Sequence, residues 1–319
     1  MRTRYILRRL VAAAVTAFVA VTLNFLLFRA VPGTAVSNLS AVPDASPALR
    51  DALIREFGLD RPKWEQYVLY MRELAQGNLG ISYDNRQPVA ANLATALGNS
   101  LPMVALGVVF ALILATVTAV LAAWKRRTVV DYASTGAAIV FSSFPTHWLA
   151  LMLLIMFAGI LPSSGTSDPF LINPSFWERT WDRLSHMALP SLTLALSLYG
   201  GLAVIFRSAL LETLGEDYVL TAKAKGLSDW GVLRKHALRN AMLPTTTMIG
   251  LYLAFMVTGA ILVETVFSWP GVGRVIFQAV LDRDYPMLQG AFLMLTLSVV
   301  VMNLVVDLLY FKLDPRIAA

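Results

Sequence analysis

The chain has 319 residues, 57% of them apolar and only 14% charged, with a formal charge of +6 and no cysteine. Several stretches reach the ~20 apolar residues that cross a bilayer, which makes this a polytopic membrane protein, and its polar intervals leave no room for a separate soluble catalytic domain. The missing cysteines exclude disulfide and thiol chemistry, and the positive balance belongs to basic loops on the inner side of a membrane, not to a nucleic-acid surface.

In chain order, Arg2, Arg4, Arg8 and Arg9 precede a first apolar run, 10–28. This run exceeds the ~7 to 15 residues of a signal-peptide core, and no small-residue cleavage site follows at Arg29-Ala30-Val31, so we read it as an uncleaved span. The longest polar interval, 31–98, alternates turn signals with amphipathic pieces: a helix capped by Ser46, then G-L-D-R-P, a helical run over 64–74, and G-N-L-G-I-S-Y. Such punctuation predicts a small ordered outer cap. Further spans are expected at 101–123, at 132–158 with Pro145 inside it, at 187–206 with Pro190 near its start, at 245–263 and at 287–311. Between them lie the short basic loop Lys125-Arg126-Arg127 and a mostly polar loop over 160–185. The expectation is therefore a single all-α domain over 1–319 with six transmembrane helices, and six spans place both termini on one side.

Charge decides which side that is. With the N-terminus inside, the inner segments hold 15 of the 26 basic and 7 of the 20 acidic residues, a balance of +8 inside against −2 outside. Basic residues favour the cytoplasmic face, so both termini and the loop 207–244 are expected there.

That loop does not read as slack chain. Gly215 breaks the preceding helix, Glu216 and Asp217 give an acidic start, Lys223 and Lys225 a basic last turn, and Gly226 a stop; Ser228 and Asp229 then cap a second helix that runs toward Pro244. Leu214, Tyr218 and Ala222 form an apolar stripe with Val219 beside them. A helix this short is unstable alone, so it packs either on its own membrane domain or into a partner that moves it.

Other chemistry finds little support. There is no G-x-x-x-x-G-K-[ST] to cradle a nucleotide, and Gly271-Val272-Gly273 follows no strand. His147, His186 and His236 have no metal-ligand spacing, so we expect no metal site and no catalytic residue. Asp307 sits near the inner end of its span, where Lys312 or Arg316 is the expected partner, and a carrier working alone lacks a proton relay.

The run D-Y-V-L-T-A-K-A-K-G-L-S followed by H-A-L-R-N-A-M-L-P resembles the cytoplasmic EAA loop of bacterial ABC importer permeases, in the version typical of dipeptide and oligopeptide permeases of the B-subunit type. R-R-L at Arg8, V-P-G at Val31, G-L-D-R-P at Gly58, L-P-S-L-T-L-A at Leu189, V-E-T-V-F-S-W-P-G-V-G-R at Val263, D-Y-P at Asp284 and the terminal V-D-L-L-Y-F-K-L-D-P-R agree with it. The chain departs from the general motif at Leu220-Thr221, in place of Glu-Ala, and in a proline delayed to Pro244; both departures are usual in the peptide branch. Thr34 stands where Asp often follows V-P-G.

The resemblance implies half of a binding-protein-dependent importer in a bacterial inner membrane. Its implied partners are a second, homologous permease, two cytoplasmic ATPases that bind ATP and Mg, and an extracytoplasmic solute-binding protein; this chain holds no cofactor of its own. Leu214, Glu216, Asp217, Tyr218, Thr221, Ala222, Ala224, Lys225 and Gly226 are the expected ATPase-coupling residues. Trp269, Pro270 and Gly271 are candidates for a gate or a docking rim, and Ser142, Ser143, His147 and Asn303 for the solute pathway. The solute implied is a di- or oligopeptide, with oligosaccharide, nickel or glutathione as alternatives within the same architecture.

Overall fold

The computed structural model describes residues 2–30, 61–238, 240–242 and 260–313. Among them the regular structure is helical, apart from one isolated antiparallel bridge between Ile81 and Pro88. In chain order the helices are α1 (Arg2–Ala30), α2 (Lys63–Ala75), α3 (Val89–Trp124), α4 (Val129–Ser143), α5 (Thr146–Met156) and α6 (Phe176–Thr213). There follow α7 (Asp217–Ala224), α8 (Asp229–Val232), α9 (Ile261–Val266), α10 (Val272–Leu281) and α11 (Tyr285–Leu313). The chain divides into two compact units, one made of residues 1–97 and 274–319, the other of 98–273.

Helices α1, α3, α6 and α11 are each long and apolar enough to cross a membrane. Within the expected third span, α4 and α5 meet at a bend of 105°, the geometry of a broken span or of a re-entrant loop. The residue before a proline is driven out of the helical region, and Phe144, just before Pro145, is extended at ψ 130°. The expected fifth span, 245–263, and the Ser46-capped helix of the outer interval lie almost wholly or wholly outside the described residues.

In the first unit α1 lies along α11. Asn24 donates its side-chain N–H to the Gln289 carbonyl at 3.1 Å, and Phe28 meets the Phe292 ring at 6.0 Å. Phe25, 3% exposed, packs its ring against Tyr67 and Tyr70 of α2. Asp307 pairs with Arg9 at 2.9 Å, because α1 packing on α11 brings a cation from the opposite end of the chain; of the expected partners, Arg316 and the side chain of Lys312 lie outside the described residues. Asp284 is buried just before α11 and gathers bonds from Ser82, from the Tyr83 backbone N–H at 3.0 Å and from the Met287 backbone N–H at 3.1 Å. It caps α11 and ties the 82–84 turn to it.

The second unit is built around α6, against which α4 and α5 pack. Small residues permit the close crossing: a Cβ on Gly200 would lie 2.1 Å from the Ala138 carbonyl oxygen, and Ala111, Ala115, Ala195 and Ala203 fill the same layer. Toward the other end Met103, Leu149, Leu189, Phe267 and Trp269 form a larger-residue core. Helix α6 starts earlier than the expected span, at Phe176, because Ser175 and Glu178 make a reciprocal capping box. Pro102 interrupts α3 and cannot donate to the Gly98 carbonyl; Arg183 of α6 donates to that oxygen instead, at 3.4 Å, and to the Asn99 side-chain oxygen at 3.2 Å.

Candidate coupling site

The loop between α6 and residue 242 is folded as tightly as its punctuation predicts. Helix α6 stops at Thr213, Glu216 is the N-cap residue of α7, and α7 runs from Asp217 to Ala224. Its end is a Schellman motif: Leu227 donates its N–H to the Ala222 carbonyl at 3.3 Å and Gly226 to the Lys223 carbonyl at 2.9 Å. This needs a left-handed residue, which Gly226 supplies at φ +83°. Ser228 then accepts from the Gly231 N–H at 3.2 Å and starts α8. A wider π-type turn, Leu233–Ala237, follows α8 and leads into residues that remain helical to Met242.

The two short helices close a small core of their own. Val219, Ala222 and Val232 are buried together, with Leu214 and Leu227 packed against them. Asn240 donates to the Tyr218 hydroxyl at 2.7 Å, and Lys223 pairs with Asp229 at 2.8 Å, an exposed contact of small energetic consequence. Ala119 and Ala123 of α3, Phe206 and Leu210 of α6, and Ala237 and Ala241 share one further cluster. Trp124, at the end of α3, meets the Trp230 ring at 4.7 Å. The loop is thus seated on the ends of two long helices, so a displacement of α7 cannot leave α3 and α6 untouched.

Of the apolar stripe, Leu214 and Ala222, with Val219 beside them, turn into the loop, while Tyr218 remains exposed. Ala222 and Val219 are buried in the loop's own core and Leu214 is half-buried, whereas Asp217, Leu220, Thr221 and Ala224 are exposed, Leu220 at 62%. These four positions share one helical face by their spacing of three and four. Glu216, Tyr218, Lys225 and Gly226 are exposed around it. Among the expected coupling residues, then, Ala222 and Leu214 hold the helix and the others surround its open side. Leu220 was missed by the sequence reading because only its surroundings reveal which of two apolar stripes the loop consumes.

A second residue missed is Asp131. Its carboxylate, 3% exposed, accepts two parallel bonds from Arg207, Nε at 2.8 Å and Nη2 at 2.9 Å, and a third from the Arg127 backbone N–H at 2.9 Å. Nothing local flags it, since Arg207 is far away in sequence.

At the opposite end of the second unit, Trp269 is fully buried and donates its indole N–H to the Asn99 carbonyl at 3.1 Å. Asn99 donates its amide to the Pro270 carbonyl at 3.0 Å. Ser100 donates to the buried Glu264 carboxylate at 2.6 Å and accepts from the Val272 N–H at 2.9 Å. Of the W-P-G triplet only Pro270 is exposed. Ser142 and Ser143, exposed beside the α4–α5 bend, turn their hydroxyls back to the Ile139 carbonyl at 2.8 Å, and His147 lies against Trp148. Asn303 is exposed on α11, on the other unit. His186 is buried, its Nδ1 2.8 Å from the Asp182 carbonyl and 3.2 Å from the Asp182 carboxylate, a structural setting. Among the described residues no group of His, Asp and Glu has the arrangement of a metal site.

Long apolar helices, with one sharply bent pair among them, carrying a capped polar helix seated on the ends of two others, are the build of a multi-pass membrane transport permease. Residues 115–319 match the family described as binding-protein-dependent transport system inner membrane component, residues 2–105 match its N-terminal component, and the chain belongs to this family. It is 37% identical over 334 aligned positions to the dipeptide transport system permease protein DppB of Escherichia coli K12, covering 98% of both chains. It is 36% identical over 330 positions to the protein of that name in Alkalihalophilus pseudofirmus and 35% over 316 to the glutathione transport system permease protein GsiC of Escherichia coli O6:H1, again covering 98% of each.

Proposed function

We propose that this chain is one permease half of an ATP-driven ABC importer for di- and oligopeptides, and that α7 is where the energy enters. The observation that carries the reading is the loop 214–242: rigidly capped, seated on α3 and α6, and open along Asp217, Leu220, Thr221 and Ala224. An ATPase pair that binds ATP and Mg docks on that open face; this chain is the non-catalytic subunit. ATPase closure pulls α7, and α3 and α6 follow because the cluster of Ala119, Phe206, Leu210 and Ala237 joins them. Both termini lie in the cytoplasm, a placement supported by the +8 balance that six spans give the inner segments. On the outer side a solute-binding protein delivers the peptide near Pro270 and the interval 31–98. A second, homologous permease completes a pathway in which Ser142, Ser143, His147 and Asn303 offer polar contacts.

Peptide cargo rests on the relatives named for dipeptide transport; the relative named for glutathione, itself a modified tripeptide, supports a second reading of the same kind. Complexes purified with their ATPases and binding protein, reconstituted in vesicles and offered labelled dipeptide and glutathione in competition, separate the two. Gly226→Trp supplies the coupling control: a Cβ there meets no atom within 4 Å and the left-handed backbone costs only about 1 kcal/mol, so the chain is expected to fold, but ATP-driven uptake is lost as the turn no longer fits its partner. Full uptake by that variant contradicts the coupling role.

A further inference from the structure

Arg207 and Asp131 join α6 and α4, which otherwise meet through apolar packing: Gly200 against Ala138, and Phe141 edge-on to Tyr199 at 6.0 Å. We propose that the Arg207–Asp131 pair is the transmission clamp that carries movement of the coupling loop into the bent pair α4–α5, an inference that rests on the importer reading above. Arg207 lies six residues before the end of α6, about 9 Å along the axis at 1.5 Å per residue, directly above the junction where Leu214 enters the loop core. Asp131 lies in the first turn of α4, whose far end is the Phe144-Pro145 break. The guanidinium fork fixes angle as well as distance, with Nε on Oδ1 at 2.8 Å and Nη2 on Oδ2 at 2.9 Å.

The same carboxylate reaches back to the basic turn between α3 and α4. Oδ2 accepts the Arg127 N–H at 2.9 Å, and Arg127 is held in the left-handed region at φ +62°. Thr128 folds its hydroxyl onto the Lys125 carbonyl at 2.6 Å, and Trp124, one residue before that turn, packs its ring at a tilt against Trp230 of the loop. Asp131 therefore closes a circuit: loop to α3 through the tryptophans, loop to α6 through the chain, and both to α4 through one buried carboxylate. Two turns further along, α4 and α6 meet again where Gly200 crosses Ala138, so α4 has two anchors on α6 and moves with it as one body. Beyond the break at Pro145, α5 rests on the other end of α6, its Leu149 and Leu153 sharing a core with Leu189 and Phe267, so both arms of the bent pair are held by the helix that Arg207 belongs to.

A pair with one buried partner is a poor way to add stability, because desolvation of the Asp131 carboxylate offsets much of the attraction. Its advantage here is directional stiffness. The Arg207 and Asp131 side chains are accordingly positioning residues, touching neither solute nor nucleotide.

The test compares the native complex with Arg207→Lys, which keeps the charge but loses the fork, and with the double variant Asp131→Asn, Arg207→Gln, a neutral pair that retains a hydrogen bond. Assembly with the ATPases, thermal midpoint, ATP hydrolysis and solute uptake are measured on the same vesicles. The expected result is that at least one variant assembles with a native midpoint and hydrolyses ATP, while solute moved per ATP falls at least tenfold. Native solute per ATP in an assembled variant overturns the clamp and leaves the importer reading standing. Loss of assembly in both variants overturns it as well, since the pair is then a requirement of folding. Absence of ATP-driven uptake by the native complex removes the importer reading and the clamp with it.

Discussion

The carboxyl group of Glu264 fills the space that a side chain at Gly271 would need: a Cβ built there lies 2.3 Å from Glu264 Cδ and 2.4 Å from Ser100 Oγ. Glycine in the W-P-G turn is thus a packing requirement, set by a buried acid whose bond to Ser100 ties the turn to the start of the second unit. Gly271→Ala is expected to destabilise the chain by about 1–3 kcal/mol, the usual cost of forcing atoms into a filled core. Gly136→Ala, in the middle of α4 with open space around its Cβ, is expected to be neutral or stabilising by up to about 1 kcal/mol. Thermal melts of the two purified variants check the contrast.

At Gly226 the constraint is the backbone. Space is free, but φ +83° strains any residue with a Cβ, and asparagine least among them. Gly226→Ala is expected to cost about 1 kcal/mol, and Gly226→Asn less. Hydrogen exchange at the Leu227 and Gly226 amides reads the effect directly, because both belong to the Schellman motif. Equal exchange in all three proteins contradicts the assignment.

Tyr83 lies in the turn that Asp284 holds. Burial, and then the Asp284 charge, push its phenol from the ordinary 10 up to about 12. The folded chain therefore favours the neutral phenol. The stability this brings is fully present below pH 10 and is lost as the pH rises toward 12. Melts taken between pH 9 and 11 are expected to show an alkaline decline that Tyr83→Phe reduces. An unchanged decline in that variant excludes the phenol as its source.

Much of the fold was legible because apolar runs, proline and glycine act locally. The starts of α7 and α8, the stop at Gly226 and the helical run at 64–74 all follow from neighbours in the sequence. Other features depend on distant partners. Which stripe of α7 turns inward is decided by Val232 and Leu227, so Ala222 is consumed by the loop and Leu220 is left open. Arg9 reaches Asp307, and Arg207 reaches Asp131, only because helices remote in sequence pack together. Pro145 was visible throughout, but the 105° bend needs the α5 core of Leu149 and Leu153 to hold the second half in its own direction. The early start of α6 was in principle readable, since Ser175-Phe176-Trp177-Glu178 has the capping-box spacing.

The most direct test of the energy-input claim is Leu220→Asp. Leu220 is exposed and lies outside the core of Val219, Ala222 and Val232, so the substitution leaves the loop folded. Measured on complexes purified through this chain, the account predicts a native thermal midpoint, ATPase subunits lost from the preparation, and ATP-driven peptide uptake reduced at least tenfold. Native ATPase content and native uptake in that variant would contradict it.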